Sequence, residues 1–156
     1  MSLGSNIGDK KRNIIRALEL LEYDPFIDVV QESPMYKTEP WGNKQQEYFI
    51  NCAAKIKTVM SPWKLLNILQ ETEKKLGKDI REHWGPRTID IDIIFYGKKI
   101  IYEKKMIIPH PRFRFRKFVL IPLYNISSEL IDPQSNKTIR ELLDSSDDKS
   151  EVVMIG

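Results

Sequence analysis

Apolar residues along the chain recur at two spacings. Between residues 10 and 22, Ile14, Ile15, Leu18 and Leu21 fall at helical intervals, and Asp9 stands in the N-cap position. Asp24-Pro25 ends that helix, because a residue before proline is pushed out of the helical region. Ser61 as N-cap and Pro62 at the first helical position open a second helix. Leu65, Leu66, Ile68, Leu69 and Leu76 supply its core side, Gln70 and Glu73 share a face three residues apart, and Gly77 closes it. A short apolar helix is expected at 119–123, with Pro122 tolerated near its start or as a kink. One more short helix is expected at 138–143.

Alternation marks the strands. From residue 88, Ile89, Ile91 and Ile93 fall on one side and Thr88, Asp90 and Asp92 on the other, the pattern of a strand with one buried face. Residues 26–37, interrupted at Pro34, and 48–56 also read as extended. Ser2 and Leu3 end a very short first strand, which runs into a turn at 4–9. The glycines of that turn lack the Lys-Ser/Thr of a phosphate-binding loop. Tyr96-Gly97-Lys98-Lys99 reads as a hairpin turn into Ile100-Ile101-Tyr102.

The chain has 156 residues, most simply one domain over 1–156. Its 25 basic and 22 acidic residues leave a net charge of only +3, too balanced to mark a duplex-DNA binder. The lone Cys52 excludes an intrachain disulfide, fits a reducing compartment and sits in an apolar run that suits buried packing. No apolar run has membrane-spanning length and no signal peptide precedes the first polar residues, so a cytoplasmic protein without membrane attachment is expected. The polar tail suggests a stand-alone chain.

Asp90 and Asp92 project from one strand face about 7 Å apart, at two rises of about 3.3 Å. Asp is depleted in strands, and two like charges this close repel, so a positive partner should lie between them. A pair of Mg²⁺ ions, with their preference for oxygen ligands and phosphates, fits that gap. The alternative is a solvent-facing strand side that carries two aspartates. Upstream, Gly85-Pro86 makes a bend that sets Trp84 and Arg87 at the mouth of the strand. Arginine alternates with phenylalanine from Arg112 to Phe118, after His110. That stripe suits nucleic-acid stacking, a polyphosphate clamp or a solvated basic rim. Asn51, in an otherwise apolar strand, is either structural or reads a ligand edge. Trp41, on a loop rich in Pro and Gly, is a recognition residue or packs onto a neighbour.

Gly4-Ser5-Asn6, Tyr36-x-Thr38, Asn51, Trp84-Gly85-Pro86-Arg87-Thr88-Ile89-Asp90-Ile91-Asp92 and Pro109-His110 occur in this order. In them the chain resembles the 6-hydroxymethyl-7,8-dihydropterin pyrophosphokinase family, from residue 3 to about 143. The resemblance implies an α+β ferredoxin-like sandwich, an antiparallel sheet with helices packed on its faces. It implies transfer of pyrophosphate from ATP to 6-hydroxymethyl-7,8-dihydropterin, giving AMP and the pterin diphosphate, in folate biosynthesis. By the same resemblance Asp90 and Asp92 bind two Mg²⁺ ions, and the catalytic set is Arg87, Asp90, Asp92, His110 and Arg116. ATP is assigned to Gln70, Glu73, Trp84, Arg87, Ile93, His110 and Arg116. The pterin is assigned to Thr38, Glu39, Trp41, Phe49, Asn51 and Phe118, with the two phenylalanines sandwiching its ring. No general base is nominated.

Three departures stand out. Phe49 occupies a position where many relatives would carry tyrosine. Lys78 follows the helix-ending glycine where an arginine is common, in a 78–83 loop one residue shorter, which leaves the roles of Lys78 and Arg81 open. Pro111 follows His110 in place of an aromatic. The loops 39–47 and 78–86 are expected to close over the substrates and exclude water. The other reading is a non-catalytic RNA-binding module of the same fold using the Arg112–Phe118 stripe; it leaves Asp90 and Asp92 with the wrong charge. A monomer that binds no nucleic acid is expected.

Overall fold

A computed structural model describes residues 1–40, 45–78 and 87–155. Trp41, Arg81 and Trp84, with much of both loops expected to close, lie outside the described residues. In chain order the elements are β1 (Ser2–Ser5), α1 (Lys10–Glu22), β2 (Ile27–Glu32), β3 (Met35–Thr38), β4 (Phe49–Thr58) and α2 (Pro62–Lys75). There follow β5 (Asp90–Asp92), β6 (Ile101–Glu103), β7 (Met106–Ile108), a 3-10 turn (Phe113–Phe115), α3 (Lys117–Ser127), α4 (Ile139–Asp144) and β8 (Val152–Ile155).

The helix ends form as local chemistry dictates. The Asp9 carboxylate accepts from the Arg12 N–H, the Ser61 hydroxyl from the Lys64 N–H, and Thr138 with Glu141 forms a reciprocal capping box. Gly77 ends α2 at φ +87°, a conformation that glycine adopts without strain. α3 is longer than the apolar run suggests and carries Pro122 in its interior. The proline removes one backbone donor, and burial of Val119, Leu120 and Leu123 on the same helix offsets that loss.

The main sheet runs β5-β1-β4-β3-β8, antiparallel throughout, and β2 pairs with the far half of β4. Because side chains alternate along a strand, β4 faces two cores at once. Ile50, Cys52 and Ala54 point toward α1 and α2, joining Leu3, Ile14, Leu18, Leu21, Leu69 and Ile91. Ala53 points the other way, to Phe113, Leu120, Leu123 and Leu142. Helices therefore cover both faces, as the α+β sandwich requires.

Three sequence expectations need correction. Ile15 is 46% exposed, and the buried stripe of α1 is Ile14, Ala17, Leu18 and Leu21; a residue one step from the stripe is turned about 100° away from it. The alternation from Thr88 onward holds in burial, yet only Asp90–Asp92 is laddered to a neighbour, and Ile94 is also buried. The turn at 96–99 does form, with Gly97 at φ +54°, but the hairpin lies further on, between β6 and β7.

Leu69 is wholly buried between α2 and the sheet, so Leu69→Ala should lower the unfolding free energy by about 3 kcal/mol. Ile15→Ala should cost less than about 1 kcal/mol. Urea unfolding followed by circular dichroism measures both; equal losses would contradict this placement of the core.

Candidate active site

The site is built on one row of the sheet. Register pairs Gly4 with Asn51 on one side and with Asp90 on the other, and Asn51 with Tyr36. Residues directly opposite in a ladder share a face, so Asp90, Gly4, Asn51 and Tyr36 all lie on the α3 side. Asp92 follows two residues on, paired through Ser2 to Ala53. Ile91 between the aspartates is buried toward α2. The predicted metal residues and the predicted pterin residue thus occupy one surface, two strand spacings or about 10 Å apart. Gly4, without a side chain, is the gap between them. A Cβ there would lie 2.5 Å from Asn51 Oδ1, inside any tolerable contact.

On the β4 side, Asn51 is buried and its Nδ2 donates to Thr38 Oγ1 at 2.7 Å. Phe49 projects from the same face and is half-buried. Phe118, also half-buried, packs against the α3-side core, and Glu39 is exposed beyond the end of β3.

On the β5 side the free edge of the strand is closed by a side chain: Glu73 Oε1 accepts the Ile91 N–H at 2.7 Å. Burial pushes the Glu73 carboxyl up, opposed by the hydrogen bond from Lys78. The Lys78 ammonium lies 2.8 Å from Glu73 Oε1 and 2.6 Å from Asp90 Oδ1, and Arg87 NH1 reaches the same Asp90 oxygen at 3.1 Å. Burial alone would depress Lys78, but Asp90 and Glu73 together hold it above its usual value. Gln70, one turn earlier on α2, is exposed, and Ile93 is buried in the α1–α2 core.

His110 and Arg116 enter from the segment after β7. The His110 N–H donates to the Ile94 carbonyl, and its Nδ1 accepts from the Arg112 N–H at 3.2 Å. Burial depresses the imidazole, Asp92 raises it, and Arg116 and Arg112 lower it again, with depression the net result. Arg116 is also depressed by burial, against the pull of Asp92. Both side chains therefore sit within the field of Asp92.

The arginine–phenylalanine stripe does not survive as a surface. Arg114 is committed to the fully buried Asp132 through bonds of 2.6 and 2.8 Å, Phe113 is buried and Phe115 is exposed. This gives the RNA-binding alternative no continuous platform.

Sequence reasoning missed two residues. For Lys78 the sequence gives only its place after the helix-ending glycine, with no role. Asn6 is buried, exchanges both backbone–amide bonds with Arg87 (N–H to carbonyl 3.0 Å; Arg87 N–H to Oδ1 2.6 Å), and donates from Nδ2 to Gln46 at 3.3 Å. Its place in the Gly4-Ser5-Asn6 motif was the one available signal, and nothing in that motif points to residue 87.

No set of three or more His, Cys, Asp or Glu that could hold a metal occurs among the described residues. Two aspartates on one strand face are nonetheless the right donors for Mg²⁺, which takes one or two carboxylates and completes its shell with phosphate oxygens and water. A cavity of about 370 Å³ lies on the opposite face of the sheet, against Lys10, Lys37, Tyr48 and Ile50, and none of the candidate side chains lines it. No helix among the described residues is long and apolar enough to cross a membrane.

A family model described as 7,8-dihydro-6-hydroxymethylpterin-pyrophosphokinase (HPPK) matches residues 1–128. The 2-amino-4-hydroxy-6-hydroxymethyldihydropteridine pyrophosphokinase of Methylorubrum extorquens is 40% identical over 143 residues, which cover 92% of this chain and 89% of that protein. The protein of the same name from Bacillus subtilis is 39% identical over 130 residues, covering 83% and 78%. Among solved structures, wild-type HPPK-DHPS of Plasmodium falciparum with SDX-DHP superposes with a TM-score of 0.67 at 16% identity. That match covers 92% of this chain but 43% of the solved one, so it speaks for the fold alone. Fold, sequence and family model agree, and the chain belongs to the 7,8-dihydro-6-hydroxymethylpterin-pyrophosphokinase family.

Proposed function

We propose that this chain transfers the pyrophosphoryl group of ATP to the hydroxymethyl group of 6-hydroxymethyl-7,8-dihydropterin, in folate biosynthesis. The pterin oxygen attacks the β-phosphorus, the bond from that phosphorus to the α-phosphate oxygen breaks, and AMP leaves. The hydroxyl proton passes to solvent. The observation that carries this reading is the single sheet row that sets Asn51 and Asp90 on one face with only Gly4 between them. A flat heterocycle at Asn51 and a triphosphate at Asp90 then meet over β1, which suits a reaction that depends chiefly on positioning.

Residue roles follow from the chemistry of each group. Asn51, oriented by Thr38, reads the pterin edge, and Phe49 and Phe118 stack on its ring. Phe49 keeps the stacking surface without a hydroxyl. Arg87, Arg116 and His110 hold phosphate oxygens, the arginines through forked donors. Glu73 and Gln70 border the nucleotide side. Two Mg²⁺ ions, held by Asp90 and Asp92, would supply charge neutralisation for the triphosphate. The protein acts as a monomer, one domain over 1–156, in the cytoplasm.

Phosphorus NMR of the protein with ATP, Mg²⁺ and the pterin should show AMP and a pterin diphosphate; ADP would refute pyrophosphoryl transfer. Asp92→Ala should lower turnover roughly a hundredfold or more while ATP still binds. Near-normal turnover in that variant would remove Asp92 from the metal site. Gly4→Ala should raise the pterin KM about tenfold by displacing the Asn51 amide, with a smaller effect on the KM for ATP. Equal effects on both would mean that Gly4 serves the sheet rather than the pterin.

A further inference from the structure

Asp90 already holds cations. Its Oδ1 receives the Lys78 ammonium at 2.6 Å and the Arg87 guanidinium at 3.1 Å. A divalent metal bound about 2 Å from that carboxylate would meet the ammonium at close range, and the two positive charges repel. Both cannot keep the same place. We propose that Lys78 is a resident stand-in for the metal: its ammonium occupies the cation position at Asp90 in the nucleotide-free protein, and a metal ion must displace it. The proposal rests on the reading of Asp90 and Asp92 as the metal ligands.

The surroundings of Lys78 suit an exchange of this kind. Its main chain is fixed, because the Lys78 N–H donates to the Glu73 carbonyl at 3.0 Å just after the left-handed Gly77. Movement is thus confined to a flexible four-carbon stem. Its second partner, Glu73, holds the ammonium at 2.8 Å through a separate ion pair, so the ammonium can leave Asp90 and stay paired. The side chains of Lys78 and Glu73 are 16% and 9% exposed, against 32% for Asp90, so the retreat is into the fold and leaves the more open carboxylate to the incoming ion. A lysine serves better here than an arginine, whose planar fork would lock onto a carboxylate.

The consequence is that free metal binds this protein poorly, and the triphosphate charge is what tips the exchange toward the metal. Mn²⁺ titrated alone into the nucleotide-free protein, with free ion followed by electron paramagnetic resonance, tests this. Lys78→Gln, which keeps a donor for Glu73 but no charge, should bind Mn²⁺ about tenfold tighter than the wild type. Lys78→Met should do the same, and Lys78→Arg should bind no tighter than the wild type. Lys74→Met removes the same charge at an exposed position of α2 and should shift the affinity less than about twofold.

Unchanged Mn²⁺ affinity in both Lys78→Gln and Lys78→Met would overturn the exchange. So would an equal gain in Lys74→Met, which would make the effect one of general field. A repeat with a nonhydrolysable ATP analogue separates this from the metal assignment. Mn²⁺ held by the wild type with the analogue but lost in Asp92→Ala upholds the ligands. Mn²⁺ that binds no form, or binds Asp92→Ala as well as the wild type, removes the ligands and this proposal together.

Discussion

A glycine in the strand between β5 and β4 sets the terms for the α3-side face of the sheet. Gly4 lies in register between Asn51 and Asp90, and the Asn51 side-chain oxygen Oδ1 lies 2.5 Å from where any other residue would place its Cβ. The sheet offers a flat stretch one strand wide, flanked by an amide on one side and a carboxylate on the other. A one-residue slip of β1 against either neighbour would turn this surface over and put Leu3 where Gly4 stands. The two cores guard against that slip. Leu3 is locked between Cys52 and Ile91 on the α1–α2 side, and its burial there fixes which face Gly4 presents.

The second constraint is charge. Asp90 and Asp92 on one short edge strand repel each other, and the fold answers with cations from both directions: Lys78 and Arg87 at Asp90, and Arg116 in the field of Asp92, where the His110 imidazole, depressed by burial, also lies. These groups come from the end of α2, the start of the β5 segment and the segment before α3, which are distant in sequence. An arrangement that gathers so many ionic groups around a half-open edge is poorly suited to a structural role, since for ion pairs withdrawn from water the loss of hydration offsets most of the Coulomb gain. It is well suited to receiving a polyanion together with its counterions.

Much of this was legible in the chain because it is written locally. The span and N-cap of α1, the Ser61-Pro62 start of α2 and the alternation around Asp90 and Asp92 depend on neighbours a few residues apart, and the structure keeps them. Ile15 misled because an apolar residue next to a helical stripe cannot be told from a member of it by type alone. Read as a stacking surface, the Arg112–Phe118 stripe misled for a different reason: alternation implies a surface only in an extended strand, and these residues form a 3-10 turn and a helix start instead. Once the turn forms, Arg114 faces Asp132, a partner eighteen residues away that no local pattern announces. The addition of β8 to the edge of β3 was equally invisible, because its four residues carry no strong pattern of their own.

Asn6 shows why sequence alone could not assemble the site. Its amide is buried, so all of its polar groups must find partners, and it finds them at Arg87, three residues before β5, and at Gln46, just before β4. One side chain thereby fixes the entry points of both segments that flank the sheet row. Arg87 is also the residue whose guanidinium reaches Asp90, so the backbone that Asn6 holds is the backbone that aims this guanidinium. The geometry at Asp90 therefore depends on the turn after β1 as well as on β5 itself. A motif of small and amide residues at the start of the chain, without any catalytic group, sets where the charged groups stand.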